Sequence, residues 1–319
     1  MAFRFKRKES VARATRRLGH EQCDDALECL ADCRQIEAIH CVRKDIKKAR
    51  AMLRLTRNRI RKRDYRLLIK LLRQAANHLA AVRDAYVKSA ALRDLLAHFK
   101  SQLAPQALRH VRTTLQTDLR KEKERFIERN TAEAVQRLIR RAARQFDDLN
   151  ISGKGWPALC PGVKVAYRQG REAYQTVLEH PAPENFHEWR KRVKDLWYDV
   201  RVLRPVWPEQ MDAMAAELGT LGEHLGDDHD LFILQETARK QCIQESHAQE
   251  FETLRGLIEA RQRELRLAAR ELGARFYSEK PSTFSSRLGR YWRLWRRGKK
   301  DVRADALSDL PTKSSAPSS

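Results

Sequence analysis

The sequence predicts an all-α protein. Leu, Ala, Arg, Lys and Glu dominate it, and apolar residues recur at helical spacing in nearly every segment. Alternating runs of β-branched residues, which would indicate strands, are almost absent. Pro, Gly and Asn mark the main breaks between the periodic segments. The chain is therefore expected to fold as helices joined by short connections.

These breaks divide the chain into two halves. The stretch NISGKGWPALCPG, from Asn150 to Gly162, holds two Pro and three Gly, a composition typical of a linker. The periodic pattern predicts four or five helices on each side of it. The predicted segments are a basic N-terminal tail at 1–9, a first helical half at 10–150, a linker at 151–162, a second helical half at 163–298 and a disordered Ser- and Pro-rich tail at 299–319.

The composition favours an anionic partner. Lys and Arg number 65 against 42 Asp and Glu, which gives a formal net charge of +23. Such a charge causes considerable self-repulsion unless a polyanion is the usual partner. Net charge gives no specificity, so nucleic acid, inorganic polyanions, anionic membrane surfaces and acidic proteins all remain open.

The sequence predicts a cytoplasmic protein without membrane insertion, metal or cofactor. The N-terminal MAFRFKRKES lacks the apolar segment of a signal peptide, and nowhere do about eighteen apolar residues run together. The six cysteines form no CxxC pair, so reduced thiols are expected. Cys29, Cys33 and His40 would share a face of one continuous helix. His40 would then lie roughly 10 Å from Cys33, too far for one zinc site.

The stretch HCVRKDIKKARAMLR, from His40 to Arg54, combines an apolar helix face with a basic one. At about 100° per residue its cations fall within an arc of roughly 120°, and the apolar residues lie opposite. Only Asp45 interrupts this first basic stripe, so the cations are available to an external anion. Its predicted anion-binding residues are His40, Arg43, Lys44, Lys47, Arg50 and Arg54.

The same pattern returns in the second half as HEWRKRVKDLWYDVR, from His187 to Arg201, 147 positions later. The apolar residues Trp189, Val193, Leu196 and Val200 match Val42, Ile46, Ala49 and Leu53. Trp197 stands where the first copy has Arg50. A helix selected only for solubility would preserve charge but not these identities, which favours duplication. The predicted anion-binding residues of this second basic stripe are His187, Arg190, Lys191, Lys194 and Arg201.

A second similarity follows each stripe. LAAVRDAYV from Leu79 and LGDDHDLFI from Leu225 align Arg83 with His229 and Asp84 with Asp230. We interpret the chain as a duplicated four-helix unit in which an acidic position on the next helix faces each basic stripe. These residues are predicted to support the site by orienting its basic side chains.

The pattern H-x-x-R-K-x-x-K near the start of each half, followed by a helix with Arg-Asp or His-Asp, resembles the conserved histidine α-helical domain family, known as CHAD. The resemblance covers about residues 10 to 298. It implies two pseudo-symmetric four-helix bundles, one in each half, whose basic faces line a shared groove. It also implies binding of inorganic polyphosphate by the residues of both stripes. Some family members carry a fused triphosphatase domain, for which this chain leaves no sequence over.

Two further sets of residues are candidates for a supporting role. Arg137, Arg140, Arg141 and Arg144 form a stripe that either extends the groove or is plain surface. Tyr167, Arg168 and Arg171, in VAYRQGREAY, precede the second stripe, although their spacing is a common one.

Three functional hypotheses follow. The first is non-catalytic binding of inorganic polyphosphate, with association with polyphosphate granules. The second is nucleic-acid binding, which the charge permits but no recognised motif supports. The third is a metal-dependent phosphohydrolase, suggested by HLGDDHD from His224 to Asp230. His224 and His229 are about 140° apart around a helix, and the sequence offers no convincing partner ligands, so no catalytic residue is predicted.

Overall fold

The computed structural model describes residues 3–31, 36–104, 107–241 and 248–298, and the predicted tail at 299–319 lies outside them. The all-α prediction is confirmed: the described residues form α-helices, short 3-10 turns and loops, with one isolated bridge between Ile60 and Ile151. The helices are α1 Val11–Leu30, α2 Ile36–Leu55, α3 Lys62–His78, α4 Ala80–His98, α5 Arg109–Glu128, α6 Thr131–Asp147, α7 Trp156–Glu179, α8 Pro183–Val202, α9 Pro208–Gln241, α10 Ala248–Phe276 and α11 Pro281–Arg297.

The irregular connection between the halves is shorter than the predicted linker at 151–162. Helix α7 begins at Trp156 and continues through Pro161. Two glycines with positive φ, Gly153 and Gly155, make the turn that precedes it. A Cβ atom at Gly162 would lie 2.1 Å from the Leu55 carbonyl oxygen, so this glycine lets α7 approach the end of α2.

The predicted N-terminal tail is packed against the protein from Phe3 onwards. Phe3 and Phe5 are buried, and the Phe5 amide donates to the Val202 carbonyl at 3.2 Å. Glu9 pairs with Arg17 at 2.7 Å. The apolar residues between the cations of this segment explain why it docks, since leaving them in water would cost the free energy of exposing apolar surface.

Apolar contacts join the two halves of the chain. One buried cluster combines α7, α8 and α11 with the start of α1 and the end of α2. A second lies among α1, α2, α3 and α6, and a third combines α4 and α5 with α9 and α10. The described first half contains six helices rather than four, and the duplication stays a prediction. Two of the three clusters combine residues of both halves, and the division into two four-helix bundles stays a prediction as well.

The expectation of reduced thiols is wrong for one pair. Cys29 on α1 and Cys41 on α2 form a disulfide, with their Cα atoms 6.1 Å apart. The two helices are an adjacent pair in contact, and this brings together cysteines that lie twelve positions apart. None of the described helices is both long enough and apolar enough to span a membrane.

Candidate anion-binding groove

The apolar faces of α2 and α8 are those that the sequence predicts. Val42, Ile46, Ala49 and Leu53 are buried on α2, and Trp189, Val193, Leu196 and Val200 are buried on α8. Because side chains three and four positions apart share a helix face, the basic residues between them point away from the core. The core therefore fixes the direction of both basic stripes.

The two stripes meet across one groove of about 510 Å³. Arg83 from α4 also lines it, whereas His187 and Arg201, which the sequence assigns to the second stripe, do not. Arg192, Asp195, Trp197 and Tyr198 line it without having been predicted. The predicted residues that the structure brings together here are His40, Arg43, Lys44, Lys47, Arg50, Arg54, Arg83, Arg190, Lys191 and Lys194.

His187 and Arg201, which do not line the groove, contact the rings of His229 and Trp197 instead. The His187 ring stacks on His229, with ring centroids 3.9 Å apart. Burial, followed by the charges of His187, Arg190 and Lys191, lowers the pKa of His229 to about 4. The Arg201 guanidinium lies over the Trp197 ring at 4.4 Å and so packs against the groove wall.

The predicted acidic residues lie near Arg83. Asp230 lines a pocket of about 370 Å³ together with Arg83, Tyr86 and Asp227. Burial raises the pKa of Asp230, although Arg190 and Arg83 oppose the rise. Asp84 is exposed, and its charge opposes the lowering of the pKa of Arg43 and Arg83 that their burial causes.

The remaining supporting candidates lie elsewhere. Tyr167 is a core residue whose hydroxyl donates to the Phe276 carbonyl at 2.9 Å, because α7 packs this face inward. Arg171 donates to the Tyr277 carbonyl at 3.2 Å, and Arg168 pairs with Glu172 at 3.7 Å. The α6 stripe lines a separate open depression of about 610 Å³ rather than an extension of the groove. Its residues are Arg137, Arg140, Arg141 and Arg144.

The groove has a large excess of positive charge. Of the residues that the structure describes, ten Lys and Arg side chains line it, against one carboxylate, Asp195. Within the described part of the chain, no carboxylate lies at ion-pair distance from Lys44, Lys47 or Arg50. The groove therefore offers cations that the protein itself does not neutralise.

Three guanidinium groups in the groove also have buried nitrogen atoms without a hydrogen-bond partner. These atoms are Arg50 Nε, Arg83 Nη1 and Arg190 Nε. A buried donor left without an acceptor costs about 1 to 3 kcal/mol, and more when it is charged. An anion in the groove would supply the missing acceptors.

Burial and mutual repulsion lower the pKa of several groove cations. Burial is the largest cause of the fall in the pKa of Lys47 to about 8, followed by the charges of Arg190, Arg43, Arg83 and Lys194. Burial also lowers the pKa of Lys194 and His40. The end of the Lys47 side chain still reaches solvent through the open groove. Its low pKa reflects partial burial first, and the positive charges of its neighbours add to the effect.

Three glycines on α9 leave space for side chains of α8 that line the groove. This feature was not predicted from the sequence. A Cβ atom at Gly222 would lie 2.8 Å from both Cε and Nζ of Lys194. A Cβ at Gly226 would meet Arg190 at 3.5 Å, and one at Gly219 would meet Trp197 at 3.5 Å. The spacing of these glycines at three and four positions was the available signal, because such residues share a helix face.

One group of described residues has the ligand types and spacing for a metal ion, and it lies outside the groove. It consists of Cys29, Cys41 and Asp45, of which the two cysteines form the disulfide. Asp45 is buried and pairs with Lys48 at 2.6 Å. None of the three lines the groove.

Comparisons with known proteins identify the family. The sequence profile of the CHAD domain matches residues 12–239. The fold resembles PptA from Streptomyces chartreusis, with a TM-score of 0.62, 15% identity, and coverage of 85% of this chain and 100% of that one. It also resembles the CHAD domain from the plant Ricinus communis, with a TM-score of 0.62, 14% identity, and coverage of 87% and 95% respectively. No curated protein sequence matches. Since the profile spans well over half of the sequence, the chain belongs to the CHAD domain family.

Proposed function

We propose that this protein binds inorganic polyphosphate in the groove between α2 and α8 and does not hydrolyse it. The observation that carries the proposal is that the described residues place ten Lys and Arg side chains and one carboxylate in a single groove. Membership of a family linked to polyphosphate supports the same ligand. Association with polyphosphate granules would follow from such binding and is part of the proposal.

The chemistry of the lining suits a linear phosphate polymer. Polyphosphate has about one negative charge per phosphate and no bases to be read, so its site needs closely spaced cations. Arg makes directional, bidentate contacts with phosphate oxygens, while Lys acts as a point charge that tolerates a change of register. The groove combines both types from helices on its two sides.

Nucleic acid is the second candidate, because a groove of this charge also attracts its phosphates. Single-strand binding proteins usually stack bases on exposed aromatic rings between the cations. Trp197 lines the groove, but Lys194 and Arg201 already lie over its ring at 5.0 and 4.4 Å. These contacts make base stacking on Trp197 less favourable, which favours polyphosphate.

The phosphohydrolase hypothesis has less support. His229 stacks on His187, and Asp230 lies close enough to Arg83 and Arg190 for their charges to affect its pKa. These contacts favour a role for Asp230 in orienting the groove arginines rather than in holding a metal.

A competition assay tests the function. We expect polyphosphate to displace a labelled polyphosphate probe at a phosphate concentration at least about tenfold lower than RNA or DNA requires. Incubation with Mg²⁺ or Mn²⁺ should release no free phosphate. Stronger competition by nucleic acid would favour the second candidate. Phosphate release that Asp230→Ala abolishes would instead revive the phosphohydrolase.

Polyphosphate affinity should rise as the pH falls from about 9 to about 6. Lys47, with a pKa of about 8, and His40, with a lowered pKa, are partly or wholly neutral in the free protein at the upper end of this range. A bound polyanion raises the pKa of both groups, so protons are taken up on binding. Each proton taken up changes the affinity by at most about tenfold per pH unit.

The variant Lys47→Arg tests this pH dependence. It retains the charge throughout the range, so its affinity should vary less between about pH 7.5 and 9 than that of the wild type. Isothermal titration in buffers of different ionisation enthalpy would count the protons. An identical pH profile in wild type and variant would contradict the assignment to Lys47.

A further inference from the structure

Among the described residues, Asp195 is the one carboxylate that lines the groove, and it pairs with two of the groove's guanidinium groups. It pairs with Arg54 on the opposite helix at 2.6 Å and lies 3.6 Å from Arg192 on its own helix. The pair with Arg54 connects α8 to α2 across the groove. A phosphate that bound Arg54 through both of its terminal nitrogen atoms would displace this carboxylate.

A second pocket of about 260 Å³ adjoins the groove at this ion pair. The groove and the pocket share Arg54, Arg192 and Asp195 in their linings. Beyond the pair, the pocket is lined by Arg57, Tyr65 and Gln169 among others. The Arg54–Asp195 pair therefore lies at the boundary between two cationic spaces.

We propose that Asp195 is a gate that controls how much of a polyphosphate chain the protein holds. In the free protein the pair with Arg54 closes the groove at one end, and a long chain displaces Asp195 and extends into the second pocket. This inference rests on the proposed function and adds a residue that determines chain-length preference.

The second pocket contains groups that suit a phosphate chain. Arg54, Arg57 and Arg192 provide guanidinium groups, and the Tyr65 ring holds the Arg57 guanidinium at 5.2 Å. The pocket also contains Asp199, which is buried, and burial raises its pKa well above the ordinary value. A raised pKa favours the uncharged acid, so Asp199 repels an entering phosphate less than an ionised carboxylate would.

The ion pair itself is suited to displacement. Burial raises the pKa of Asp195 even though Arg54, Arg192 and Arg50 oppose the rise. The charged carboxylate therefore gains less from its partners than it loses by leaving water. Phosphate oxygens can take its place on Arg54, and the approaching negative charge further favours the uncharged acid.

The test compares Asp195→Asn with Glu188→Gln. Glu188 also pairs with groove cations, lying 3.1 Å from Lys191 and 2.5 Å from Arg192, but it does not line the groove. Each variant removes one negative charge from α8. Affinities of wild type and both variants would be measured by titration with tripolyphosphate and with a long polyphosphate chain.

We expect Asp195→Asn to bind the long chain about tenfold more tightly than wild type, with a clearly smaller gain for tripolyphosphate. Glu188→Gln should change either affinity by less than about twofold. Adding Arg57→Gln to Asp195→Asn should remove the additional gain for the long chain, because Arg57 lines the second pocket and not the groove.

Equal gains for the two ligands, or equal effects of the two charge variants, would overturn the gate while leaving polyphosphate binding intact. Failure of the wild type to bind either ligand would overturn both proposals. Thermal unfolding would verify that the variants fold, and Asp195→Ser provides a second neutral substitution if the Asn variant does not.

Discussion

A variant carrying Lys47→Gln, Arg50→Gln, Arg190→Gln and Lys194→Gln is expected to bind polyphosphate at least about a hundredfold more weakly than wild type. All four side chains line the groove, and none has an ion-pair partner among the described residues. A charge-assisted hydrogen bond contributes roughly 1.5 to 3 kcal/mol. The loss of four such contacts should therefore weaken binding by more than about a hundredfold, even if their effects are far from additive.

A matched variant separates a site from a diffuse cloud of charge. Arg120, Lys121, Arg263 and Lys280 are exposed on or beside α5, α10 and α11, and none of them lines the groove. Replacing them with Gln removes the same charge from the protein. Long-range attraction alone would make both variants equally weak, because it depends on total charge rather than on position. Equal losses, with both proteins folded by circular dichroism, would contradict the groove.

The direction of the two stripes could be predicted because apolar and basic residues alternate at helical spacing. On α2 and α8, the residues predicted to face the core are buried without exception. Matching identities 147 positions apart predicted a second, duplicated stripe, and the resemblance to the CHAD family implied that both stripes line one groove. The structure brings the two helices together at one groove. Periodicity and repetition were sufficient for the stripes, and the resemblance was needed for their meeting.

The repeat comparison also explains why Asp195 was missed. In the duplicated frame Asp195 corresponds to Lys48, and Arg192 corresponds to Asp45. At each of these positions the two copies carry opposite charges. A comparison that looks for identical residues in both copies therefore passes over these positions. The structure shows that they also differ in burial and surroundings: Asp45 is buried beside Lys48, whereas Asp195 faces Arg54 across the groove.

Other failures arose because local spacing carries no information on tertiary neighbours. Tyr167 lies near the second stripe in sequence, but α7 turns it into the core against Phe276 and Phe284. Cys29 and Cys41 form no recognised motif, and only the packing of α1 on α2 brings them together. Such contacts depend on how helices pack, which a single sequence does not define.

The salt dependence of binding should be steep and should depend on the groove residues. Binding to a polyanion releases its condensed counterions, with a slope of about −0.7 in log affinity against log salt for each phosphate neutralised on a single strand. If the groove neutralises about six phosphates, the slope is about −4, and affinity falls by between about two and three orders of magnitude from 50 to 200 mM salt.

The two charge variants make this prediction specific. Loss of four groove contacts should make the slope shallower by about 3 units, because four fewer phosphates are neutralised on binding. The exposed-charge variant should keep nearly the wild-type slope, since its charges lie outside the groove and salt already screens them beyond about 10 Å. Titrations at five salt concentrations would give each slope. A wild-type slope near zero would mean that the ligand binds without release of counterions. Binding of a polyanion by a groove with ten cationic side chains must release them, so this result would contradict the proposed site.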